Sequence, residues 1–449
     1  MSKSDLTKTD ISRLIEQLGT DKVKIFPGKG SEYGSASDWV VFAESEQEAV
    51  KVIRWAGESQ VSILPEGQGA LAGYGNPVCK EAVTLSLAKL NQVTEHSVGD
   101  LTVTVQAGTL LSHLQAVLKE KGQMLPLDPG WPEIRTAGGI VAAALTGPKR
   151  LKYGTPRDWV IGLRVILADG QVIRTGGKVV KNVAGYDMNK LFVGSFGTLG
   201  VITECTFKLR PLPPEETVII LEHSDVNALL RLSRRILDSS LEPSAIEIVN
   251  SSVLSTLLPG DHATFGLMIG FEDETKAVDK EQDQVVKWAK EEGIRVRETL
   301  RNDWAAALWQ FFGELMPHAK GSESSAAKIA VKISTLPDQA AAAVQMIHYL
   351  AEELGIDAMI HGGTGTGITL AVLQPKQDQW AIAKELIQKV RQRIEEQLGY
   401  VVILHAPSFF KELIPVWGKT PAGLFLMRKI KAQLDPEGRF NPGRWVGGI

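Results

Sequence analysis

One order of elements is written twice between Thr217 and Leu404, and this repeat restricts the available folds more than any other feature. The spacing of apolar residues predicts a strand over Thr217–Glu222, then a helix over Asp225–Asp238 with Leu229, Leu230 and Ile236 inward. Strands at Ala245–Val249 and Thr264–Phe271, a helix at Glu274–Glu292 and a short strand at Arg295–Glu298 complete the first copy. The second copy runs through Lys328–Ser334, the helix Asp338–Leu354, Ala358–His361, Ile368–Leu373, the helix Asp378–Leu398 and Tyr400–Leu404. Each copy reads β-α-β-β-α-β, so two of them side by side give one antiparallel sheet backed by helices. A helix predicted over Asp303–Met316, carrying Trp304, Leu308 and Phe312, joins the copies, and Gly321–Ser325 is a spacer.

The N-terminal half follows a different plan. Asp10 is placed to cap a helix ending at Leu18, and Trp39–Phe42 reads as a strand. Ser45 and Glu48 form a capping box ahead of a helix whose apolar face is Ala49, Val50, Ile53 and Ala56. The run Val61–Leu64 then feeds Leu-Pro-Glu-Gly-Gln-Gly-Ala-Leu-Ala-Gly-Tyr-Gly over 64–75. Glycines there open backbone conformations closed to other residues, and successive N–H groups can form an anion nest. No Gly-Lys-Ser or Gly-Lys-Thr triplet follows, which excludes the nucleoside triphosphate loop, and the pattern is not Gly-x-Gly-x-x-Gly opening a helix.

Strands are also expected at Val83–Leu85 and Leu101–Val105, with a helix from Thr109 to Gly122. The Asp128-Pro129-Gly130 turn leads to Arg135-Thr136-Ala137-Gly138-Gly139 and a run of small residues, a helix start that admits close approach of a ligand. Asp169-Gly170 between apolar runs marks a hairpin. Two more segments, Lys181–Asp187 and Gly194–Gly200, precede a strand from Val201, where Cys205 sits on the packing face. Pro211, Pro213 and Pro214 mark the first boundary. The expected division is 1–214, 215–405 and 406–449, the last returning to the first.

The net charge of −3 gives no electrostatic case for nucleic acid. Two cysteines, Cys79 and Cys205, are too few to ligate an iron–sulfur cluster or an all-cysteine zinc site. Ala137–Leu145 is too short to cross a bilayer, and the N-terminus lacks the apolar core of a signal peptide, so a cytoplasmic protein is expected.

Four blocks together resemble the FAD-binding domain of the vanillyl-alcohol oxidase type: Leu64–Gly75, Thr136–Gly139, Lys181–Asp187 and Gly194–Ile202. The closing Phe440-Asn441-Pro442-Gly443-Arg444 is similar too. The resemblance implies an α+β fold, with a two-lobed FAD-binding domain and a cap of two ferredoxin-like units forming an antiparallel sheet. It implies that FAD contacts Pro65, Glu66, Gly67, Gln68, Gly69, Ala70 and Leu71 on one side and Pro129, Thr136, Gly138, Gly139 and Ala142 on the other. Gly194, Gly197, Thr198, Gly200, Val201 and Ile202 carry the remaining contacts. With no His in the 64–75 loop and Cys79 beyond the usual attachment position, noncovalent FAD is expected.

Within that group the chain resembles the FAD-binding subunit of bacterial glycolate oxidase. Self-sufficient 2-hydroxy-acid dehydrogenases carry Gly-Ser-Glu-Gly-Thr-Leu-Gly, whereas Phe196 replaces the Glu here. They also carry His-x-Gly-Asp-Gly-Asn-x-His as metal ligands; this chain has His361-Gly362-Gly363-Thr364-Gly365-Thr366-Gly367-Ile368, and His405 is followed by Ala406-Pro407. No metal site is expected, His361 reads as a hairpin residue, and no catalytic residue is assigned. The resemblance implies a sister FAD subunit and an iron–sulfur subunit as partners, a small 2-hydroxy acid as the complex's substrate, and peripheral placement at the inner face of a membrane through that complex. The alternative is a self-sufficient dehydrogenase, such as a D-lactate dehydrogenase, with His361, His405 and Arg444 as candidates lining the cap.

Overall fold

The structure, a computed structural model, describes residues 8–27, 37–78, 82–177, 186–319 and 328–449. Cys79, Lys181–Gly185 and the spacer Gly321–Ser325 lie outside the described residues. The first helix spans Lys8–Leu18, so Asp10 lies within it rather than at its cap.

Strands β1 (Val23–Ile25), β2 (Trp39–Phe42), β3 (Ser62–Glu66) and β4 (Ala82–Ser86) form a sheet in the order β1-β2-β4-β3. The connection from β2 to β3 is the helix Glu46–Glu58, capped as expected by the Ser45 side chain accepting from the Glu48 amide. The returning Glu48 carboxylate accepts from the Glu44 amide. β4 lies parallel between β2 and β3, so the expected βαβ unit is split by a later strand. Pro65 and Glu66 belong to β3, and the loop proper starts at Gly67.

The next strands are β5 (Val93–Ser97), β6 (Thr102–Gln106), the short β7 (Gln123–Met124), β8 (Val160–Ile166), β9 (Val172–Gly176), β10 (Val201–Lys208) and β11 (Arg210–Pro211). Five form an antiparallel sheet ordered β5-β6-β10-β8-β9, and β7 pairs with β11. Cys205 is buried in β10, where burial pushes its thiol pKa upward, in keeping with a packing role. One apolar core runs from Ile11 to Leu209 and takes in Phe440 from the far end of the chain.

The repeat folds as one sheet. Its strands are β12 (Glu215–His223), β13 (Ala245–Asn250), β14 (Phe265–Asp273), β15 (Arg295–Arg301), β16 (Ile329–Ser334), β17 (Asp357–Gly363), β18 (Ile368–Gln374) and β19 (Tyr400–His405). Their order, β15-β12-β14-β13-β17-β18-β16-β19, is antiparallel throughout and mirrored about the β13–β17 pair. Successive residues alternate between faces. Ile219 and Leu221 enter the core beneath the long helices, while Val218 and Ile220 enter a second core on the opposite face.

That opposite face is treated differently in the two copies. In the first it is covered by the helix Asp303–Gly313, which ends three residues before the expected Met316, and by an unforeseen helix, Ser251–Leu257. Trp309 and Phe312 are buried there, whereas Trp304 is 75% exposed. Trp288 and Trp380 are partly buried against the core beneath the long helices. In the second copy the corresponding face borders a cavity. No described helix is long and apolar enough to cross a membrane.

Candidate functional site

A cleft of about 1150 Å³ opens between the 64–75 loop and the start of the helix Ala137–Ala143. It is built largely from backbone and small side chains. Thr136 caps that helix, its hydroxyl accepting from the Gly139 amide at 3.3 Å. A Cβ on Gly67 would collide with the Thr136 hydroxyl, so the two walls meet only because residue 67 is glycine. Gly138 donates to Ala107 O at 2.8 Å, and a Cβ there would press on Ala107.

The third wall is the 194–202 segment. Gly194 and Phe196 donate to Val141 O and Ala142 O, at 3.0 and 2.8 Å. The C-terminal segment then ties the walls together. Ile63 donates to Arg439 O and Asn441 to Ile63 O, at 2.9 and 3.0 Å. The Asn441 side chain donates to Phe196 O at 2.6 Å, and Arg444 donates to Leu71 O at 2.6 Å and Tyr74 O at 3.1 Å. Burial lowers the Arg444 pKa to about 10, with Glu66 acting in the opposite direction.

Of the expected contacts, Pro65 through Leu71, Thr136, Gly138, Gly139, Ala142, Gly197, Gly200 and Ile202 line this cleft. Pro129 lines a neighbouring cavity instead. Thr198 and Val201 are fully buried, and Gly194 sits behind the cleft, docked on Val141. Sequence reasoning missed Arg135, Phe196, Asn441 and Arg444 as lining residues. The last two stand in the recognised closing block, which was the available signal.

The neighbouring cavity, about 1140 Å³, shares Arg135, Ala143 and Phe196 with the cleft and extends to the uncovered face of the cap sheet. One cross-strand row borders it. Val249 pairs with His361, His361 with Leu370, Leu370 with Lys332, and Lys332 with Val402. His361 is buried; its Nδ1 lies 2.9 Å from Glu247 Oε2, and its ring packs edge-on to Phe312. Burial pushes the Glu247 carboxyl pKa upward despite that hydrogen bond. Among the described residues no group of three or more His, Cys, Asp or Glu is placed to hold a metal ion.

From the other side the cavity receives Arg150, on the short helix Arg150–Tyr153. The approach to that helix is fixed by buried charge. The Asp128 carboxylate accepts from the amides of Gly147 and Lys149 at 3.0 and 2.8 Å. Lys149 pairs with Glu216 at 2.9 Å and with Glu272, which also accepts from the Tyr153 hydroxyl. Burial opposes the Lys149 charge, but the two carboxylates outweigh it and raise its pKa. Of the three earlier candidates only His361 lines this cavity. Arg444 belongs to the cleft, and His405 is buried against Gly73.

Residues 37–176 match the FAD binding domain family, and residues 212–445 match the C-terminal domain of FAD linked oxidases. The chain belongs to the FAD-linked oxidases. This FAD-linked oxidase is 28% identical to the glycolate oxidase subunit GlcD of Bacillus subtilis, over 92% of its own length and 90% of the relative's. It is 27% identical to a mitochondrial D-lactate dehydrogenase (cytochrome) of Arabidopsis thaliana, over 91% and 73% of the two chains. Its fold is that of 4-ethylphenol oxidase from Gulosibacter chungangensis, with a TM-score of 0.75 over 99% and 98% of the chains at 17% identity.

The cofactor of the oxidase is FAD, and the residues present fit it. The cleft's small-residue walls leave room for a flat, extended ligand. Arg135 Nη1, buried where the two cavities meet, has no hydrogen-bond partner among the described residues and is a ready donor to a ligand oxygen.

Proposed function

We propose that this FAD-linked oxidase is the FAD-binding subunit of a 2-hydroxy-acid dehydrogenase of the glycolate oxidase kind, working with a sister flavin subunit and an iron–sulfur subunit. The observation that carries this reading is the state of His361. Where self-sufficient relatives are expected to carry a metal-ligand motif, this chain places an imidazole bonded to Glu247, with no metal-holding cluster among the described residues. Similarity to a glycolate oxidase subunit and to a D-lactate dehydrogenase supports a small 2-hydroxy acid as the substrate of the assembly. Its two cysteines leave the iron–sulfur relay to another chain.

In this reading the loop Gly67–Leu71, Thr136, Gly138 and Gly139 hold the diphosphate part of FAD, and Arg135, Ala142 and Phe196 border its redox-active end. FAD held there would supply the hydride-accepting ring for oxidation of a carbon bearing a hydroxyl. Among the described residues no His or Cys lines the cleft, which supports noncovalent binding. Phe196, which lines both the cleft and the cavity, packs edge to face at 5.5 Å on Trp417 of the cavity wall.

A second reading, a self-sufficient dehydrogenase, is favoured by the Glu247–His361 pair. A carboxylate that orients a cavity-lining imidazole is the arrangement a proton acceptor needs. The test is anaerobic addition of glycolate or D-lactate to the isolated holo-chain. The subunit reading predicts that the flavin band persists until the partners are added; bleaching of the isolated chain selects the second reading.

A further inference from the structure

We propose that Arg150 and Lys332 form an anion subsite in the second cavity that takes the carboxylate of a small organic acid, so that this chain binds acid in its own right. The inference rests on the hydroxy-acid reading above and locates the acid within it.

Lys332 projects from β16 into the cavity between Leu370 and Val402, its cross-strand neighbours. An ammonium among aliphatic side chains loses hydration without compensation unless an opposite charge joins it. Yet the charge that reaches it is Arg150, from the facing wall. Among the described residues neither cation makes an ion pair; the Arg150 guanidinium donates only a long bond, 3.5 Å, to the Thr146 hydroxyl. The carboxylates whose fields reach Arg150 are engaged elsewhere. Asp128 accepts the Gly147 and Lys149 amides, Glu247 is bonded to His361, and Asp158 accepts from Thr155. Burial lowers the pKa of both cations, as expected for charges awaiting a counter-ion.

The anchoring of Arg150 makes this a built site. Lys149 is locked by Glu216 and Glu272, and Tyr153 by Glu272, so the residue between them has little freedom to swing into solvent. Phe312, Leu370, Val402 and Trp417 line the same cavity, so the two cations stand among apolar walls. Lys332 and His361 flank Leu370 on the row, two strand spacings or about 10 Å apart at the backbone. Arg135 and Phe196 line both the cavity and the cleft, so an acid held at Lys332 and Arg150 shares a wall with the FAD cleft.

The experiment is a titration of the FAD-loaded chain with oxalate, followed by calorimetry and by the flavin absorbance band. Oxalate has no C–H bond to oxidise, so it reports binding whether or not the chain turns over. Saturable binding is expected, weakened about tenfold or more in Lys332→Gln and in Arg150→Gln, with Arg150→Lys retaining part of the affinity. FAD content and thermal melting verify that each variant is folded. Absence of oxalate binding, or wild-type affinity in the folded variants, overturns the proposal. Equal affinity for inorganic phosphate overturns the assignment to a carboxylate. If oxalate binds but no 2-hydroxy acid reduces the flavin in the assembled enzyme, the functional reading fails and the subsite stands.

Discussion

The cleft and the cavity share a wall but are made in opposite ways. The cleft is cut from backbone: glycines and small residues let three segments approach, and the chain's last turn laces them together. The cavity is furnished by side chains that four strands and a short helix contribute from distant positions. The first is a shape that receives a large cofactor; the second is a field, three cations (Arg135, Arg150 and Lys332) and an imidazole on a mostly apolar surface. Damage to one should therefore leave the other readable.

The largest effect is expected at the lacing of the cleft. Lys431 donates to Thr198 O at 2.6 Å and Phe440 O at 3.0 Å and pairs with buried Asp435 at 2.6 Å. Lys431→Met leaves that carboxylate only the Arg439 and Phe440 amides in place of a counter-ion and should destabilise the chain by about 3 kcal/mol in chemical denaturation. A loss below about 1 kcal/mol would mean that the tail is not what holds the walls.

Gly67→Val should come next. The added side chain strikes Thr136, and FAD affinity should fall about a hundredfold, or about 2.7 kcal/mol, in a fluorescence titration of the apoprotein. The cap should stay folded. Retained FAD affinity would break the picture of a cleft defined by the close approach of Gly67 to Thr136.

Glu247→Leu tests the other side. It leaves His361 Nδ1 without its partner and should cost about 1–3 kcal/mol of stability while the FAD content of the purified protein stays that of wild type. Loss of FAD in this variant would show that the two regions are not separable. The smallest effect is expected for Trp304→Ser, at a position 75% exposed on the helix over the cap: within about 0.5 kcal/mol. A larger loss would place Trp304 in an interface.

What was legible from sequence follows the same division. The doubled β-α-β-β-α-β order was readable because each strand of the cap is a local run of apolar residues with turn signals around it. The cleft was readable because its requirement, glycine where one wall presses against the next, is local too. Arg150, Lys332 and Glu247 could not be read. Nothing near residue 332 announces that it will stand beside Leu370 and Val402; that depends on register across the sheet. The same holds for β4, whose insertion between β2 and β3 is decided by pairing rather than local pattern. Residue type alone places His405 and Arg444 with the cap, but tertiary packing sets one against Gly73 and the other in the cleft.

The most direct measurement is the FAD stoichiometry of the purified chain before and after acid precipitation. The account predicts one FAD per chain, released into the supernatant when the protein is denatured, and recovered when the apoprotein is given FAD again. A colourless chain that cannot be reconstituted would contradict the cleft, and a yellow pellet would contradict noncovalent binding.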